Sequence, residues 1–282
     1  MRIIKKADDL RLAVSDARKN GKTIGFVPTM GALHRGHISL IKRSKEEAGF
    51  TVVSIFVNPS QFGPKEDFNK YPRDIEKDSS LLEKAGADIL FFPDSSEIYP
   101  EGLSTWVEPG EPAKILEGER RPGHFRGVCT VVLKLFEIVR PDSAFFGQKD
   151  AQQFVVLDRM VKDFNMPVRM VECPIVRDHD GLALSSRNVY LNEAERRAAV
   201  IYHKSLQEAL GLIEKGERNA KAIIESIKRT VETEHLAKLD YAEIADAGTF
   251  KKSTDLRGTA YILIAGFIGA TRLIDNIKIT ID

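Results

Sequence analysis

The chain reads as an α/β protein, a doubly wound parallel sheet followed by a smaller α+β domain. Three observations predict it. Apolar, β-branched runs alternate with amphipathic helical stretches through residues 1–176, the order that builds right-handed crossovers onto a parallel sheet. Pro174 and the Asp178-His179-Asp180-Gly181 turn signal then interrupt the alternation. Two helical patterns and a closing run of period-two alternation follow. The expected domains are therefore 1–176 and 177–282.

Taken in order, Ile24-Gly25-Phe26-Val27 is a buried strand and 36–48 the helix after it. Residues 51–57 are nearly all β-branched or aromatic, the composition of a strand covered on both faces. A helix over 73–84 and a strand over 88–92 come next. Residues 93–123, rich in Pro and Gly, form a long excursion of the kind that often carries function. A helix over 127–139, a strand at 144–146 and a helix over 151–162 complete a Rossmann-like pattern. Ligands of such sheets bind beyond the carboxyl ends of the strands, at the switch point. In the second domain, Asn192 with Glu195 three residues on forms a capping box. Ala198, Tyr202, Leu206, Ala209 and Ile213 follow at helical spacing until Gly216, and a second helix runs from 220 to about 234. Ile277, Ile279 and Ile281 alternate with Lys278 and Thr280, the period of a strand.

Composition narrows the function. Across 282 residues, 42 basic side chains face 41 acidic ones, and residues 177–282 alone carry 16 of each. Neither half has the basic excess of a nucleic-acid binder. Cys129 and Cys173 have no metal-ligand spacing and suit buried thiols in a reducing cytoplasm. The N-terminus lacks the apolar region of a signal peptide, and the longest apolar stretch, 261–270, is too short to span a bilayer.

Three segments could carry chemistry. Pro28-Thr29-Met30-Gly31-Ala32-Leu33-His34-Arg35-Gly36-His37 leaves the first buried strand and enters the first helix. Unpaired N–H groups at a helix start suit phosphate, and His34 and His37 could donate to its oxygens. Metal binding is a poor alternative, since no Cys, Asp or Glu lies between Arg18 and Lys45; an ordinary polar turn is another. Phe146-Gly147-Gln148-Lys149-Asp150 gathers a glycine, a cation and a carboxylate at a strand end, or else is a surface turn before the next helix. Leu184-Ser185-Ser186-Arg187-Asn188 fits a lid closing on phosphates, or a solvated interdomain loop. Gln61 and Gln153 are polar groups near strand or helix ends, and the Arg120–Arg126 run could steer anions or lie solvated.

Together these segments resemble the pantoate–β-alanine ligase family. The likeness runs through PTMGALHRGH, VNPSQFGPKEDFNKYPRD, EGERRPGHFRGV, FFGQKD and GLALSSRN, then more weakly through YAEIADAGTF and the strand-rich C-terminus. It implies an ATP-dependent, two-step condensation. Pantoate carboxylate attacks the α-phosphorus, and the β-alanine amine then attacks the acyl adenylate, giving pantothenate, AMP and diphosphate. By the same resemblance, His37, His34 and Lys149 are catalytic. ATP is held by Met30, Gly31, Ala32, Leu33, His34, Arg35, Gly36, His37, Gly147, Gln148, Lys149, Asp150, Val176, Leu184, Ser185, Ser186 and Arg187. Gln61 and Gln153 bind pantoate. Mg2+ bridges phosphate oxygens without a protein cage of its own. Leu184 stands where the family usually has methionine, a swap that conserves volume. A cytoplasmic homodimer is implied, with neither nucleic acid nor membrane as partner.

Other adenylyl transferases, tRNA synthetases and a non-catalytic nucleotide-binding module remain alternatives. Residues 17–45 and 120–136 carry only basic charges. If they face the ATP site, they concentrate positive potential there despite the neutral total.

Overall fold

The structure, a computed structural model, describes residues 1–64 and 66–281. Its elements run β1 (Arg2–Ile4), α1 (Ala7–Lys19), β2 (Ile24–Thr29), α2 (Arg35–Glu47), β3 (Phe50–Ile55), α3 (Ile75–Ala85), β4 (Ile89–Phe91), α4 (Ser95–Ile98), α5 (Glu117–Arg120), α6 (His124–Val139), β5 (Ser143–Gly147), α7 (Ala151–Asp163) and β6 (Arg169–Cys173). They continue with α8 (Glu193–Ala198), α9 (Val200–Glu214), α10 (Ala220–Glu232), β7 (Ala237–Asp246), β8 (Gly258–Ile268) and β9 (Thr271–Ile281).

The first six strands form one parallel sheet in the order β1-β4-β3-β2-β5-β6. Its central strands are largely buried, with Val27, Val52, Val53, Leu90 and Phe145 wholly shielded from solvent. The chain leaves β2 toward β3 on one side, while β5 pairs on the other, so β2 and β5 flank the switch point. Their C-terminal ends, Thr29 and Gly147, lie where a ligand crevice is expected. In this part of the chain two strands, β1 and β6, and three helices, α1, α4 and α5, extend the expected set. Arg2–Ile4 and Arg169–Cys173 are edge strands with only part of their residues buried, so neither carries the continuous apolar run of an interior strand. Helix α1 buries Leu10, Ala13, Val14 and Ala17, one face at helical spacing.

The three-stranded antiparallel sheet β7-β8-β9 packs its apolar residues with α9 and α10 into a second core, including Tyr202, Leu206, Ile223, Ile227, Ile262 and Ile264. The apolar stretch 261–270 is thus mostly β8, the central strand. No helix among the described residues is long and apolar enough to cross a membrane. The capping box of Asn192 and Glu195 forms as expected at the start of α8.

The chain divides into two compact units, Met1–Gly147 with Val156–Cys173, and Gln148–Val155 with the chain from Pro174 onward. Residues 148–155 and 174–176, expected in the first domain, group with the second unit. The reason is physical: Asn276 of β9 donates from Nδ2 to the carbonyls of Gln148 and Lys149, both at 3.0 Å. Both cysteines are free and buried, and burial pushes the thiols up to about 12 for Cys129 and about 11 for Cys173.

Candidate active site

In the first unit, the loop leaving β2 is built around Asp78 of α3. The Asp78 carboxylate accepts from the N–H groups of Ala32 and Leu33, each at 2.8 Å. Burial raises its pKa, against those two bonds, which pull the other way. The turn requires Gly31 at φ +83°, where a Cβ would stand 3.0 Å from both Asp78 and Ile55. Ala32 also takes a positive φ, 51°.

The two histidines that follow cap α2 reciprocally. The His34 ring accepts from the N–H groups of Gly36, at 3.1 Å, and His37, while Nδ1 of His37 accepts from the His34 N–H at 3.3 Å. This is a capping box made by imidazoles. A neutral imidazole that accepts at Nδ1 carries its proton on Nε2. Both rings therefore present Nε2–H donors, with centroids 4.1 Å apart. This corrects one expectation. The N–H groups of Ala32, Leu33, His34 and Gly36 are bonded within the protein and are not aimed at a ligand.

Gln61 lies beside this loop, 9% exposed and held from several sides. Asn58 Nδ2 donates to its Oε1 at 2.9 Å, and its own Nε2 points at Met30 Sδ, 3.2 Å away. Asn58 is itself fixed: its Oδ1 accepts from the Tyr99 hydroxyl at 2.7 Å and from Ser60 Oγ at 2.8 Å, and its Nδ2 reaches the Gly127 carbonyl at 3.2 Å. Gly127 lets α6 approach closely, since a Cβ there would stand 2.3 Å from the Ser60 carbonyl oxygen.

In the second unit, Val176 and Leu184 are brought together by a short hairpin. Leu184 donates to the Val176 carbonyl at 3.0 Å, Arg177 bridges Ala183, and the turn closes at Gly181. Arg196 grips the turn through Asp180 at 2.7 Å and Asp178 at 2.9 Å. The His179 N–H and Arg196 hold the Asp178 carboxyl well below its ordinary range. Ser185 then accepts from the Arg187 N–H at 3.3 Å, starting the single turn Ser186–Tyr190.

Residues Asp275 and Asn276 of β9 organise the predicted ligands of this unit. Asp275 binds Arg177 through two bonds of 2.6 and 2.8 Å, and Asn276 clamps the Gln148–Asp150 turn. Gln148 returns a bond from Nε2 to Asn276 Oδ1 at 3.0 Å, which leaves its side chain committed. Lys149 is 19% exposed and lies 3.6 Å from Asp150. Gln153 follows on the first turn of α7, half-buried.

The pantoate–β-alanine ligase sequence profile matches residues 2–278. The chain belongs to the pantoate–β-alanine ligase family. Among its relatives in the family, the pantothenate synthetase of Fervidobacterium nodosum is 53% identical over 279 residues, covering 99% of both chains. That of Acetivibrio thermocellus is 50% identical over 281 residues, with all of each chain covered. The crystal structure of pantothenate synthetase from Thermus thermophilus matches 98% of this chain and 99% of its own at 42% identity, with a TM-score of 0.94. The ligase of Francisella tularensis, crystallised with β-γ ATP and β-alanine, matches at 38% identity and TM-score 0.79, covering 98% of this chain and 97% of its own.

Within the family frame, the structure adds supporting residues beyond the expected site residues: Asp78, Asn58, Tyr99, His124, Asp275 and Asn276. Asn58 and His124 fall inside quoted segments, and their polar character was a usable signal. Asp78 lies on a helix of ordinary charge pattern, and Asp275 and Asn276 break a strand's alternation only locally. Lys65, in the VNPSQFGPKEDFNKYPRD segment, lies outside the described residues. The acid-free basic stretches also change meaning. Arg18 pairs with Asp142, Lys45 with Asp88, Arg43 with Glu47 and Arg121 with Glu66. Three of these acids lie far along the chain and Glu47 one helical turn away, so these pairs do not sum into a steering field.

Proposed function

We propose that the chain condenses (R)-pantoate with β-alanine at the expense of ATP, through a pantoyl adenylate. The observation that carries this reading is the family match over residues 2–278, into which the imidazole capping box at the switch point fits. In the first step a pantoate carboxylate oxygen bonds to the α-phosphorus, and the bond to the bridging oxygen of diphosphate breaks. In the second, the β-alanine nitrogen bonds to the acyl carbon, AMP leaves with the carbonyl–oxygen bond pair, and the amine proton passes to solvent. Neither step needs a covalent enzyme intermediate, so positioning and charge stabilisation supply the catalysis.

Each predicted residue has a part in this reading. His34 and His37 donate from Nε2 to phosphate oxygens, with His37 following charge onto the leaving group. Asp78 holds Gly31, Ala32 and Leu33 in the turn that aims them, while Arg35 and Gly36 form the first turn behind. Met30 and Val176 frame the adenosine, Gly147 and Asp150 the ribose, with Gln148 contributing backbone. Lys149, Leu184, Ser185, Ser186 and Arg187 hold the triphosphate, and Gln61 and Gln153 bind pantoate. Among the described residues, the grouping Asp178, His179 and Asp180 could be asked to hold magnesium. It does not fit, because the Arg196 guanidinium already bridges both carboxylates. Magnesium therefore belongs to the ATP complex in this proposal. A cytoplasmic homodimer completes the reading, checked by sedimentation.

Incubation with ATP and pantoate alone tests it. The expected result is release of diphosphate stoichiometric with enzyme, then AMP turnover once β-alanine is added. ADP and phosphate as products, or no diphosphate with any acid or amine, would contradict the proposal.

A further inference from the structure

The RRPGHFR segment has no part in the reaction as described, yet its polar residues form a chain of bonds ending on Gln61. His124 opens α6 and is 7% exposed. Its Nε2 stands 3.0 Å from Arg121 Nη1, and its Nδ1 stands 2.9 Å from the Gln61 carbonyl oxygen. A guanidinium only donates, so Nε2 accepts and the ring proton sits on Nδ1. That proton is then donated to Gln61. Arg121 is fixed in turn by a two-pronged ion pair with Glu66, at 2.7 and 2.9 Å. The orientation is opposite to that of His34 and His37, whose Nδ1 atoms accept.

Gln61 thus has its backbone carbonyl set by His124 and its side-chain oxygen set by Asn58. The amide nitrogen is left pointing toward Met30, in the β2 loop that carries the histidines. We propose that His124, locked as its Nδ1–H tautomer by the Arg121–Glu66 pair, is the positioning residue that sets Gln61 for the hydroxy-acid substrate. This rests on the reading that Gln61 binds pantoate. His124 touches no reacting atom; it acts through Gln61. Burial, with the charge of Arg121 next, pushes its pKa down to about 4, which keeps the ring neutral in the physiological range.

Steady-state kinetics of four variants test the proposal, each scored by separate KM values for pantoate and ATP. His124→Leu removes the donor; the expected result is a pantoate KM raised about tenfold with the ATP KM within about twofold. His124→Asn places an amide N–H near the Nδ1 position and should recover most of the loss. Arg121→Met frees Nε2 to take the proton, and should raise the pantoate KM by about threefold even if His124→Leu does not fold. Unchanged pantoate KM in the folded His124 and Arg121 variants overturns the proposal, as does an equal rise in both KM values with no rescue by Asn. Gln61→Ala, run alongside, separates the two levels. If it leaves pantoate KM and kcat unchanged, the reading of Gln61 falls, and with it this inference. If it raises pantoate KM while His124→Leu does not, only the positioning role falls.

Discussion

Acidification should destabilise the first unit through His124 alone by an amount the structure sets. The buried ring titrates at about 4 in the folded chain against an ordinary 6.5, a gap of about 2.5 units. Between those values the unfolded chain binds a proton that the folded chain refuses, so stability falls as pH falls from about 6.5 to about 4. At 1.36 kcal/mol per unit, the loss is about 3 kcal/mol. The group is 7% exposed, so solvent screening takes little from that figure. Carboxylates such as Glu66 also lose their contribution in acid; burial raises its pKa, but the bond and charge of Arg121, the Gly63 N–H and His124 together bring it below its ordinary value. They titrate in both wild type and His124→Asn, so the difference between the two reports the imidazole together with its smaller coupling to Glu66 and Glu117. Trp106, the single tryptophan, lies in the first unit and reports its unfolding by fluorescence in urea. The wild-type-minus-variant stability should decline by about 3 kcal/mol between about pH 7 and about pH 4. A difference that stays flat across that window refutes the buried, neutral His124 and the tautomer argued from it.

Other expectations concern the site itself. His37→Ala should slow single-turnover formation of the acyl adenylate by about 100-fold or more while ATP affinity falls less; a rate near wild type removes His37 from the mechanism. Asn276→Leu leaves the carbonyls of Gln148 and Lys149 without their clamp, and should raise the ATP KM by about tenfold with about 1–3 kcal/mol of lost stability. An unaltered ATP KM would show that the clamp is structural only. Lys149→Ala should weaken nucleotide binding or slow adenylation, and equilibrium binding with stopped-flow rates both unchanged would end its assignment.

Much of the fold is legible where burial is complete. Residues 24–27, 51–57 and 88–92 are mostly apolar or β-branched because interior strands are covered on both faces, and the structure has strands at Ile24–Thr29, Phe50–Ile55 and Ile89–Phe91. Edge strands β1 and β6 expose residues and mix charges with apolar ones, so the same signal fails. The HxGH segment was legible as a candidate phosphate site. Its geometry was not, since a capping box normally shows a hydroxyl or carboxylate with Glu or Gln, and here imidazoles take both places. Asp78, Asp275 and Asn276 were hidden for a different reason. Each acts on a segment dozens of residues away, and a single sequence carries no mark of such pairings. The acid-free stretches misled in the same way, because the acids that pair with Arg18 and Lys45 are Asp142 and Asp88, far along the chain.

The central claim is that pantoate is activated by bonding its carboxylate to the α-phosphorus of ATP. Full turnover with pantoate carrying 18O in both carboxylate positions tests it directly, by mass spectrometry of the products. The account predicts one labelled oxygen in AMP and the other in the new amide carbonyl. Label in inorganic phosphate, or AMP without label, would contradict it.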